Sequence, residues 1–163
     1  RPGAEAFTNG SELFLYREPF FLEPQRILAN EIAHLVIFRF VEGQPPLFLN
    51  EGIAEFMGTK AMSMKADGDD YRVRQFPKIP ETDFIPLTEL AEMKSYPSGR
   101  EEVFYRESEF LTRYLLLNHE ASKYVELLKS TASGVPFEKA LKKLYGLKLE
   151  ELSRQFELYA KVR

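Results

Sequence analysis

The chain has 163 residues, no cysteine and a net charge of -3, from 22 Lys plus Arg against 25 Asp plus Glu. That length suits one domain over residues 1–163 with a core of its own, and the missing cysteines exclude thiol catalysis, cysteine-ligated zinc and disulfide staples. Both signs of charge are spread along the chain without a basic stripe, which argues against a nucleic-acid partner.

No apolar run approaches the roughly 18 residues needed to cross a bilayer, so no membrane span is expected. The opening Arg1-Pro2-Gly3-Ala4-Glu5 lacks the apolar stretch of a signal peptide and reads as a fragment of a longer protein. Composition leaves the compartment open.

In chain order, the apolar patch of Ser11 to Tyr16 after the turn residues Asn9-Gly10 predicts a strand. Pro24 suits a first helical position, and Gln25 to Phe40 read as a helix buried on most faces. Gly43-Gln44-Pro45-Pro46 breaks it, and Leu47 to Met57 read as a second helix ending at Gly58. Residues 62–86 carry Gly68, Pro77, Pro80 and Pro86, which predicts an irregular excursion with at most short strands such as Tyr71 to Phe76. The remainder is helical: Leu87 to Met93, Glu101 to Asn118, Ser122 to Ser130, Pro136 to Tyr145 and Leu149 to the end. The fold class is therefore mainly α with a small β element (α+β), without internal repeats.

Two stretches place polar residues inside apolar helices: Ile27-Leu28-Ala29-Asn30-Glu31-Ile32-Ala33-His34-Leu35-Val36 and Phe48-Leu49-Asn50-Glu51-Gly52-Ile53-Ala54-Glu55-Phe56. On a helix, Asn30, Glu31 and His34 share one broad face, and Glu51 and Glu55 lie one turn apart. The short Gly-Gln-Pro-Pro connection allows the second helix to fold back, so that a carboxylate completes a site begun by His34. A catalytic zinc needs three protein ligands and leaves a fourth position for water, whose pKa falls to about 7.

These segments resemble the His-Glu-x-x-His helix and the following Asn-Glu-Gly-x-Ala-Glu helix of the glutamate-zincin (gluzincin) metallopeptidases, in particular the small peptidase MA-like group. Pro46 and Phe48 stand where that family has a proline and an aromatic before its glutamate helix. Val103 to Phe110 looks like its helix after the site, and Pro136 to Phe156 like its closing helix pair around a Tyr-Gly turn. The resemblance implies a zincin-like fold and peptide-bond hydrolysis by zinc-activated water. It also implies a peptide or protein substrate or ligand, and favours an extracytoplasmic location. It makes Glu31 the general base, His34 and Glu51 metal ligands, Glu55 a residue that steadies the ligands, and Tyr105 the donor to the developing oxyanion.

Asn30 stands where the first histidine ligand belongs, and a neutral amide oxygen is a much weaker zinc ligand than imidazole. Without metal, water keeps a pKa of about 15.7, and Glu31 alone is a poor route to peptide hydrolysis. The motif thus predicts a degenerate metal site, in an impaired enzyme or in a non-catalytic domain that binds a peptide or partner protein. Two readings without metal compete with it. In one, Glu31 and His34 form a buried pair while Asn30 bridges to a neighbour. In the other, the polar residues of the two helices never converge. His119 reads as a solvated or capping residue, and Asp67-Gly68-Asp69-Asp70 as a solvated turn that lacks the rest of a calcium loop.

Overall fold

The computed structural model describes residues 6–8, 12–15, 24–63 and 84–162. The expected short strand at Tyr71 to Phe76 and the acidic run from Asp67 lie outside them. The chain is mainly helical. Two antiparallel strands, β1 (Ala6–Thr8) and β2 (Leu13–Leu15), pair with Phe7 opposite Phe14. Among the described residues seven helices follow: α1 (Pro24–Phe40), α2 (Leu47–Ser63), α3 (Leu87–Glu92), α4 (Glu101–Asn118), α5 (Ala121–Ala132), α6 (Phe137–Tyr145) and α7 (Leu149–Val162). Among the described residues no helix is long and apolar enough to cross a membrane.

The layering is set by α2, which packs against α1 on one side and α4 on the other. Glycine makes both approaches close. A Cβ on Gly52 would come within 2.3 Å of the Ser108 carbonyl oxygen and 2.4 Å of Thr112 Oγ1 on α4, and one on Gly58 would come within 3.0 Å of the Arg26 carbonyl oxygen on α1. Gly58 is therefore a crossing point and not a helix stop, and α2 continues to Ser63, beyond the expected end. Gly146, by contrast, closes α6 in the left-handed conformation that suits a residue without Cβ, with φ of 73°.

The main core lies among α2, α4, α5, α6 and α7, where Phe48, Phe104, Leu111, Tyr124, Leu141 and Phe156 are fully buried. Phe48 meets Phe137 edge to face, with ring centroids 5.0 Å apart. Several of its polar members are paired. The Tyr124 hydroxyl donates to the Leu49 carbonyl oxygen at 3.2 Å and meets Thr112 Oγ1 at 2.8 Å, while Glu109 and Arg113 form a buried ion pair one turn apart on α4.

The first helix departs from expectation. Only Ala33 and Ile37 of α1 are buried, whereas Val36, Phe38 and Phe40 are 49%, 67% and 70% exposed. The helix sits at the edge of the layer, covered by α2 and the β-hairpin, so its apolar content exceeds the surface those neighbours cover.

Candidate functional site

The two polar segments meet where α1 and α2 run side by side. His34 Nε2 lies 3.6 Å from Glu51 Oε2, and His34 Nδ1 faces Asn50 Oδ1 at 3.4 Å. The side chains thus converge, and the arrangement in which they never meet is excluded. Both ring nitrogens point at acceptors, which suits an imidazolium. Burial works to lower the His34 pKa, but the hydrogen bond and charge of Glu51, with Glu31 and Asn50 behind them, outweigh it and raise the imidazole above 6.5.

Glu51 is buried and its other oxygen is also held: the Tyr96 hydroxyl donates to Glu51 Oε1 at 2.8 Å. One carboxylate oxygen is thereby fixed by a tyrosine from the loop after α3, which leaves the other turned toward His34. Glu31, His34, Asn50, Glu51 and Tyr96 all line one cleft of about 1300 Å³, walled further by the Gly43–Leu47 connection, α3 and the start of α6.

Asn30 and Glu55 form a second cluster. The Asn30 amide nitrogen donates to Glu55 Oε1 at 2.9 Å, and Arg26 pairs with Glu55 Oε2. Burial raises the Glu55 carboxyl, and the charge of Glu51 adds to this, while Arg26 opposes both. Neither Asn30 nor Glu55 lines the cleft. Asn30 bridges to a neighbour, as the metal-free reading allowed, but its partner is Glu55, and His34 pairs with Glu51.

Tyr105 also lies outside the cleft lining, stacked on Tyr96 with ring centroids 5.6 Å apart. The hydroxyl that reaches Glu51 is that of Tyr96, one ring closer. Sequence reasoning missed Tyr96 because it lies 45 positions from Glu51 in a loop where no periodicity ties it to a helix face. The only local signal was an aromatic before Pro97 in an irregular segment. His119 takes the cap position of α4 and packs edge to face on Tyr145 at 4.9 Å.

As a metal centre, the donor set falls one short. His34 Nε2 and Glu51 Oε2 are close enough to share an ion, but the third position carries a neutral amide whose nitrogen is committed to Glu55. Among the described residues no group of three His, Cys, Asp or Glu side chains could hold a metal. The described residues at this point offer two strong donors, one short of the three protein ligands that a catalytic zinc needs. Comparison of the chain with protein-family models, with curated proteins and with solved structures gives no match.

Proposed function

We propose that this chain is a metallopeptidase-like domain of the glutamate-zincin type, whose cleft binds an extended peptide segment and whose zinc-dependent hydrolysis is impaired by Asn30. The carrying observation is the meeting of His34 and Glu51 across two helices at the wall of a large cleft, while Asn30 is tied to Glu55 outside it. A volume of about 1300 Å³ exceeds the roughly 300–1,000 Å³ of small-molecule pockets and suits a segment of chain. Glu31 lines the same cleft as His34 and Glu51, where the resemblance wants its general base. In the absence of a third strong ligand, binding without turnover is the behaviour this donor set supports.

The test is zinc content and peptide hydrolysis of the natural chain beside Asn30→His. The expected result is little zinc in the natural chain, and about one zinc per chain with hydrolytic activity in the variant. Zinc and activity in both would make the natural chain a working enzyme. No zinc in either would remove the metallopeptidase reading and leave a binding module.

A further inference from the structure

The cleft holds more charge than the His34–Glu51 pair uses. Among the described residues four carboxylates line it, from Glu31 on α1, Glu51 on α2, Glu92 at the end of α3 and Glu138 in the first turn of α6, against a single lysine, Lys94. Glu92 and Glu138 are exposed and belong to neither polar cluster at the α1–α2 contact. Carboxylates around a concave wall focus a negative potential and draw cationic groups toward it.

The same cleft leaves large apolar side chains open to water. Phe38 lies one turn beyond His34 on the same face of α1 and is 67% exposed, and Val135, before α6, is 39% exposed. Pro45 and Pro46 add rigid apolar surface beside them. Apolar surface of this kind beside a charged wall marks an interaction site more often than scattered exposure does. The occupant that satisfies both features has a cation to offset the carboxylates and an apolar side chain to cover the exposed rings and methyls.

We propose that the cleft selects extended peptide segments that carry both a lysine or arginine and a large apolar side chain, with Glu92 and Glu138 reading the cation and Phe38 and Val135 covered by the apolar group. This rests on the peptide-binding reading above and adds the ligand's chemistry to it. Neither Glu92 nor Glu138 takes part in the core, so charge reversal there leaves the fold intact.

The experiment is fluorescence anisotropy of the natural chain with three labelled octapeptides: one with Arg and Leu at its centre, one with Glu for the Arg, and one with Ser for the Leu. The Arg-Leu peptide should bind at least about tenfold more tightly than the Glu peptide, and its binding should weaken as salt rises. The double variant Glu92→Lys with Glu138→Lys should abolish that preference, and Phe38→Ser should weaken the Arg-Leu peptide toward the level of the Ser peptide. Equal binding of all three peptides, unmoved by these substitutions, would overturn the selectivity while the peptide-binding reading stood. Failure of every peptide to bind would overturn both.

Discussion

Glu107 offers the sharpest test of the packing, because its carboxyl is 0% exposed on α4 and accepts a hydrogen bond from the Ile85 N–H, which donates to Oε1 at 2.8 Å. Oε2 is buried without a hydrogen bond among the described residues. Burial pushes this carboxyl up from 4.5 to about 8, with Arg100 opposing and Glu89 adding to the rise. Between those values the folded chain holds a proton that the unfolded chain has released, so stability from this group is complete below 4.5 and is lost as pH rises through about 8. At about 1.4 kcal/mol per tenfold change in proton affinity, the full difference is about 5 kcal/mol, of which about 3 falls between roughly pH 6 and pH 9. Glu107→Gln keeps an acceptor for Ile85 and cannot ionise. Urea unfolding of both chains across that range should show the natural protein losing about 3 kcal/mol more than the variant, a relative midpoint shift of roughly 1.5 M at a slope near 2 kcal/mol per M. Parallel pH profiles would show that the carboxyl is not held protonated and would refute the reasoning.

Two further outcomes follow from contacts already described. Gly52→Ala sets a Cβ against the Ser108 carbonyl oxygen, which is backbone and cannot move aside, so thermal unfolding should show a loss of about 3 kcal/mol; a change below about 0.5 kcal/mol would mean that α2 and α4 are not so close. The His34 ring protons, followed by NMR, should titrate above 6.5, and Glu51→Gln should bring the midpoint down because burial is then less opposed; the pair's contribution to stability is present in full below 6.5 and fades as pH rises through the folded value.

Much of this architecture was legible because the chain marks its own punctuation. Glu101 to Asn118 reads as one helix and is one, and Gly146 stops α6 by the left-handed turn that its position announces. Gly58 announces the same thing and does otherwise, since a glycine that ends a helix and one that lets two helices touch look alike in sequence. The exposure of α1 was hidden for a related reason: apolar content shows that a helix seeks cover, not how much its neighbours supply. At the site, the one-turn spacings found the residues that meet across α1 and α2, but the Tyr96 contact with Glu51 depends on a loop brought back by the fold. Helical periodicity did not mark the buried charges of α4 either, where Glu107, Glu109 and Arg113 lie inside.

Those buried charges explain how the helices keep their register. Glu51, Glu55 and Thr59 follow one another at single turns along α2, and each finds its partner on another element: His34 and Tyr96 for Glu51, Asn30 and Arg26 for Glu55, and Glu109 of α4 for Thr59. A carboxylate placed at such depth is costly when its partner is displaced, so a slip of α2 by one turn would strand several groups at once. Gly52 and Gly58 permit the close approach on either side, and the polar ladder fixes where along the helices it occurs. Asn30 belongs to this ladder. It gives Glu55 the hydrogen bond that the buried carboxylate requires, and so helps to hold α1 and α2 in register beside the His34–Glu51 contact.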